Sequence, residues 1–178
     1  MTLSLRHHLI ALNRMLFSHK NLSFHRFVLG GFDVLHPSTS FIHGWHIDVI
    51  ERYLEDVRHG NVKRLLINLP PRLTKSLLVS VLWPAWILGL DPTKKIIVAS
   101  YSNAISTKHS QDCKIVMESR WYQNMFPETK IARGMATKQK FHTTRLGFRM
   151  ATSIGSTLTG EGGDILILDD PHSPLQAN

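Results

Sequence analysis

Three short apolar runs, each flanked by a turn signal, constrain this chain more than any other feature. Lys63-Arg-Leu-Leu-Ile-Asn-Leu69 stops at Pro70-Pro71, Lys95-Ile-Ile-Val-Ala-Ser100 follows the Asp91-Pro92 turn, and Asp164-Ile-Leu-Ile-Leu168 runs into Asp169-Asp170. Runs this short, apolar on successive residues, read as strands buried on both faces. The stretches around them have the other period. Ile47, Ile50, Leu54 and Val57 recur at helical spacing from His46 to Arg58, with Asp48, Glu51 and Glu55 between them and Gly60 after them. Leu77, Leu78, Val81, Leu82, Ala85 and Trp86 mark a second helix, with a kink expected at Pro84. Residues 103–118 read as a third helix, and 140–144 and 148–153 as two short strands around Gly147. The alternation predicts an α/β fold with a mainly parallel sheet flanked by helices.

The first forty residues read differently. Leu5, Leu9, Leu12 and Leu16 suggest a short helix over 3–17, and Gly30, Gly31 and Pro37 make 18–40 a connector. The expected organisation is a basic helical extension with its connector over 1–40 and one main domain over 41–178. The single cysteine, Cys113, excludes an internal disulfide and a cysteine-based zinc cluster. The longest apolar stretch, Leu77 to Leu90, is broken by Ser80 and Pro84 and falls short of the ~18 residues a membrane span needs. Arg6, His7, His8, Asn13 and Arg14 interrupt any signal-peptide core. The expectation is a soluble, intracellular protein with no membrane partner.

The net charge of +8 is concentrated. Residues 1–30 carry Arg6, Arg14, Lys20 and Arg26 without an acid, and residues 129–150 carry Lys130, Arg133, Lys138, Lys140, Arg145 and Arg149 without one. Such blocks attract polyanions, nucleic acid among them, or form a solvated basic face; charge alone does not separate the two.

Two segments carry chemistry. Leu69-Pro-Pro-Arg-Leu-Thr-Lys-Ser76 lies between an expected strand and a helix, where backbone amides at a helix start, a lysine and a hydroxyl hold phosphate and metal. The phosphate-loop pattern G-x-x-x-x-G-K-[ST] is half met: Lys75 and Ser76 are present, and Leu69 and Thr74 occupy the glycine positions. Ile165-Leu-Ile-Leu168 followed by Asp169 and Asp170 has the form of a Walker B strand. There the first carboxylate holds Mg²⁺, and the second orients or deprotonates the attacking water. Alone, one segment reads as a capped helix start and the other as a strand closed by a turn. In this order, each on the correct kind of element, they favour a phosphate site.

From His43 to Pro171 the chain resembles the ATPase domain of the large terminase subunit of tailed bacteriophages and prophages. The resemblance is carried by His43-Gly-Trp-His46, Leu66-Ile-Asn-Leu-Pro-Pro-Arg72, Lys75-Ser76, Trp83-Pro-Ala-Trp86, Ile96-Ile-Val-Ala-Ser-Tyr-Ser102, Trp121-Tyr-Gln-Asn-Met-Phe-Pro-Glu128 and Thr159-Gly-Glu-Gly-Gly-Asp-Ile-Leu-Ile-Leu-Asp-Asp-Pro171. It implies a P-loop NTPase-like fold and an ATP-driven motor that packages viral DNA into procapsids. It also implies ATP and Mg²⁺ as ligands. Double-stranded DNA, the terminase small subunit, the portal and other copies of the chain are the implied partners, and the bacterial cytoplasm the implied location.

By that resemblance Pro71, Arg72, Thr74, Lys75 and Ser76 form the phosphate side, with Lys75 on the β- and γ-phosphates and Ser76 on Mg²⁺. Asp169 is the metal-side carboxylate and Asp170 the catalytic one, with Arg72 near the γ-phosphate. Trp45 and His46 lie where relatives contact adenine, and a packed Trp with a helix-start His explains them equally well. Trp83, Trp86 and Trp121 are expected in the core. Two departures stand out. Thr74 replaces the usual glycine before the lysine, and the sequence ends at Asn178, soon after Asp170. The family's coupling motif and nuclease domain are therefore expected to be absent, and hydrolysis to be slow. The alternative is a non-catalytic prophage remnant that binds DNA or terminase partners through its basic surface; a different P-loop enzyme, such as a helicase, fits the ordered pieces poorly.

Overall fold

A computed structural model describes residues 23–156 and 160–172. The helix expected over 3–17, with its basic residues, lies outside them. The first element is helix α1 (Phe24–Leu35), capped by Ser23, whose Oγ accepts the Arg26 N–H at 3.4 Å. This corrects the connector reading, and Gly30 and Gly31 give the reason. A Cβ at Gly30 would lie 2.3 Å from the Trp121 ring, and one at Gly31 would lie 2.6 Å from the Leu82 side chain. The glycines are contact points, not breakers. Their helical cost of about 1 kcal/mol each is offset by the approach that lets Phe24, Phe27 and Val28 reach the core.

Helix α2 (Trp45–Arg58) buries Ile47, Ile50 and Leu54, as the periodicity predicts, and Glu51 beside them. From 64 to 70 the chain joins no ladder among the described residues. This corrects the first expected strand, Leu65–Leu69. Its residues are apolar enough, but among the described residues no strand lies against it, and Leu66 is 92% exposed. A slot of about 710 Å³ separates this segment from the last strand.

A π-helical turn, Leu77–Leu82, runs directly into α3 (Trp83–Leu90). The kink expected at Pro84 takes the form of this widened turn just before the proline. Pro84 has no N–H to offer the Ser80 carbonyl four residues back. The Arg149 guanidinium donates to that oxygen instead, Nη2 to O at 2.9 Å. Arg149 is fully buried and belongs to the core, which removes it from the basic surface cluster.

The remaining elements are β1 (Lys95–Ser100), α4 (Asn103–Glu118), α5 (Arg120–Met125), β2 (Ile131–Ala136), β3 (Lys140–Thr143), β4 (Phe148–Ser153) and β5 (Ile165–Asp169). They form one five-stranded sheet in the order β2-β3-β4-β1-β5. β1 pairs in parallel with β4 and β5, whereas β2–β3 and β3–β4 are antiparallel. The α/β class stands, but the sheet is mixed and not mainly parallel. The short loop at Gly147 explains the difference: two strands joined so closely must run antiparallel.

Between helices and sheet lies an aromatic core of Phe27, Trp86, Tyr122 and Phe126, with Trp83 buried alongside. The Tyr122 hydroxyl donates to the Ala85 carbonyl at 2.8 Å, and Trp86 Nε1 donates to Glu55 Oε1 at 3.1 Å. Trp121 packs on Phe27 with ring centroids 5.1 Å apart. Among the described residues no helix is long and apolar enough to cross a membrane.

Candidate functional site

The site forms where β1 and β5 end together, with Ser100 opposite Asp169 in the parallel register. β5 alternates in burial, with Ile167 and Asp169 inward and Leu166 and Leu168 outward. That alternation turns the Asp169 carboxylate into the protein, where it is 5% exposed. A buried carboxylate needs hydrogen-bond donors, and two serines one helical turn apart supply them. Ser76 Oγ donates to Oδ1 at 3.0 Å, and Ser80 Oγ donates to Oδ2 at 2.9 Å. His109, from α4, approaches Oδ2 with Nδ1 at 3.5 Å. That distance makes it an electrostatic contact and not a directed hydrogen bond. Burial holds the His109 pKa below its ordinary value, opposed by the Asp169 charge and reinforced by Arg149.

Asp170 sits just outside. Its backbone takes a positive φ of 46°, and its carbonyl accepts the Tyr101 N–H at 3.1 Å. Its side chain pairs with Lys75, Nζ to Oδ1 at 2.5 Å. The structure therefore brings Lys75, Ser76, Asp169 and Asp170 to one place, from segments far apart in sequence.

Residues 69–77 and Asp170 line a hollow of about 380 Å³, in which Pro71 and Arg72 form part of the wall. The loop turns through two left-handed residues, Arg72 at φ 68° and Thr74 at φ 58°. Alternation of ordinary and left-handed residues tips successive amides to one side, the arrangement that cradles anions. Thr74 is the costly member, because a β-branched side chain is disfavoured at positive φ. Its hydroxyl donates to the Leu73 carbonyl at 2.7 Å. Trp45 and His46 line neither this hollow nor the slot beside β5. Trp45 is 76% exposed at the start of α2, with the His46 ring edge-on to it.

Ser80 and His109 were not among the residues expected here. Ser80 carries a weak signal, a hydroxyl four positions after Ser76 on the same helix. His109 carries none, since only the packing of α4 against the sheet brings it to Asp169. The donor set is hard: carboxylate and hydroxyl oxygens, which suit Mg²⁺ more than a thiophilic metal.

The basic cluster is only partly a surface. Lys130, Arg133, Lys138 and Arg145 are exposed, while Arg149 is buried. Lys140 pairs with Glu161 at 2.5 Å and lies 4.5 Å above the Phe148 ring.

No protein-family profile matches the chain, and no curated protein matches it.

Proposed function

We propose that the chain is a P-loop NTPase-like unit of the terminase large-subunit kind, binding ATP with Mg²⁺ and serving the packaging of double-stranded DNA. One observation carries the reading: Ser76 bonds Asp169 while the adjacent Lys75 pairs with the adjacent Asp170. A lysine–serine step after a loop and an aspartate pair at a strand end meet residue for residue. A capped helix start and a strand-end turn do not require this.

The residues fit the ligand. Asp169 and Ser76 supply oxygen atoms for Mg²⁺, which when bound spreads and neutralises charge on the phosphates. The Lys75–Asp170 pair is partly solvated, with Asp170 60% exposed, and such pairs contribute about 1 kcal/mol or less. A triphosphate in the loop competes for the Lys75 ammonium and frees the Asp170 carboxylate. Freed, Asp170 accepts a hydrogen bond from the attacking water and takes its proton. Ser80 and His109 hold Asp169 in place from behind. Arg72, exposed on the wall of the same hollow, is the residue we assign to the terminal phosphate.

ATP turnover with Mg²⁺ tests the reading. We expect slow hydrolysis in the wild type, and in Asp170→Asn retained nucleotide binding with hydrolysis lost. Equal turnover in both would remove the catalytic role from Asp170. For DNA, the exposed Lys130, Arg133, Lys138 and Arg145 are the candidate phosphate contacts. Arg133→Glu with Lys138→Glu flattens the log–log salt slope of duplex binding by about two units if both touch phosphate. An unchanged slope takes this face out of the DNA path. The small subunit, the portal and further copies of the chain remain partners by the same reading.

A further inference from the structure

A second cluster shares no residue with the nucleotide site. His25 lies near the start of α1, His43 in the connector just before α2, and Asp48 and Glu51 three residues apart on α2. One ligand atom from each of His25, His43 and Asp48 lies within 4.8 Å of the others. The two imidazoles meet edge to face, with centroids 5.2 Å apart. His43 Nε2 contacts Asp48 Oδ1 at 2.9 Å, and His25 Nδ1 contacts Glu51 Oε2 at 3.0 Å. The four side chains line an open hollow of about 310 Å³, with Arg52 and Glu55 also on its wall.

We propose that His25, His43 and Asp48 bind a divalent metal of the zinc class, with Glu51 orienting His25, so that the ion ties α1 to the start of α2. Two imidazoles and a carboxylate are ordinary zinc donors, and solvent completes the shell. Glu51 acts as the carboxylate that bonds the far nitrogen of a ligating histidine and fixes its ring. It engages Nδ1 of His25 and leaves Nε2 as the free ring nitrogen. Glu51 is itself 7% exposed and packed among the apolar residues of α2, so it is a fixed orienting group. Burial pushes its carboxyl above the ordinary range, and the facing His25 pulls it back. Glu55 is paired with Arg58, and Asp48 and Glu51 outweigh Arg52 around the hollow and favour a cation. The ligand atoms lie within 4.8 Å of one another, so modest side-chain shifts bring them to the bond lengths of about 2.0–2.2 Å that zinc takes. His43 and Asp48 are exposed and free to shift.

Titration of the full chain with Zn²⁺, and separately with Co²⁺, tests this. The expected result is one saturable Zn²⁺ per chain and a higher unfolding temperature with the ion. The Co²⁺ form should show the visible absorption of a low-coordinate nitrogen–oxygen site. Both His43→Ala and Asp48→Asn, at exposed positions that leave the core intact, should weaken Zn²⁺ by about tenfold or more. Asp169→Asn serves as the control and should keep full Zn²⁺ affinity, so failure of the nucleotide reading and failure of this one are distinguishable. Absence of saturable Zn²⁺ binding, or wild-type affinity in both His43→Ala and Asp48→Asn, overturns the proposal.

Discussion

Asp169 ends a strand paired with β1 from Ile165 onward, and two hydroxyls hold its carboxylate inside the protein. Lys75 follows a segment with no ladder and a loop with two left-handed residues, and it pairs with the largely exposed Asp170. The two sides of one site are thus held by different means. On the carboxylate side, sheet hydrogen bonds and burial fix the geometry before any ligand arrives. On the loop side, backbone strain and one solvated ion pair fix it, so the free energy to order that side must come from the ligand. On the proposed reading, the metal position is set in advance and the phosphate position is ordered on binding.

The largest expected effect lies behind the carboxylate side. Arg149→Ala leaves a cavity and takes away the donor to the Ser80 carbonyl, and should destabilise the fold by about 3 kcal/mol in chemical denaturation. Arg149→Met sharpens the comparison. Burial already lowers the guanidinium pKa, and Nε and Nη1 have no hydrogen-bond partner among the described residues, so an apolar chain of similar length should recover much of the loss. If Arg149→Met is as unstable as Arg149→Ala, the charge itself is needed.

Ser80→Ala comes next. It strips a buried donor from Asp169 and should cost about 1–2 kcal/mol of stability without touching the loop. Ser76→Ala should cost less stability and more Mg²⁺ dependence, because Ser76 is less buried than Ser80 and, on the proposed reading, faces the metal. Identical outcomes for the two serines would erase the distinction between structural and ligand-facing donors.

The smallest effect belongs to the loop. Thr74→Gly relieves a positive φ of 58° and should tighten nucleotide binding by roughly 1 kcal/mol. Equal affinities for wild type and Thr74→Gly would mean that the threonine is accommodated without strain.

The same contrast governs what could be read from sequence. β1, β5, α2 and α4 announce themselves through runs and periodicity, because each buries its apolar residues in the pattern its own geometry imposes. The segment from 64 to 70 carries the same apolar signal but forms no strand. A ladder needs a neighbour, and that is a property of topology rather than of the run. Helix α1 was hidden because Gly30 and Gly31 look like punctuation, and only the positions of Trp121 and Leu82 show their use. β2 was hidden by Arg133 and Gly134 inside a short edge strand. Arg149 looked like one of six surface charges, since its partner, the Ser80 carbonyl, is exposed to it only by Pro84. At the site, Lys75, Ser76, Asp169 and Asp170 were legible as two motifs. Their meeting was an inference from order along the chain, and His109 had no local signal at all.

Equilibrium titration with a fluorescent ATP analogue, with and without Mg²⁺, tests the two-sided site most directly. The wild type should bind saturably and more tightly with Mg²⁺. Lys75→Ala should weaken binding by about tenfold or more, through loss of a charge-assisted contact. Asp169→Asn should remove the Mg²⁺ dependence while leaving metal-free binding in place. Wild-type affinity in Lys75→Ala, or a Mg²⁺ dependence that survives Asp169→Asn, would contradict a nucleotide site made by these two sides.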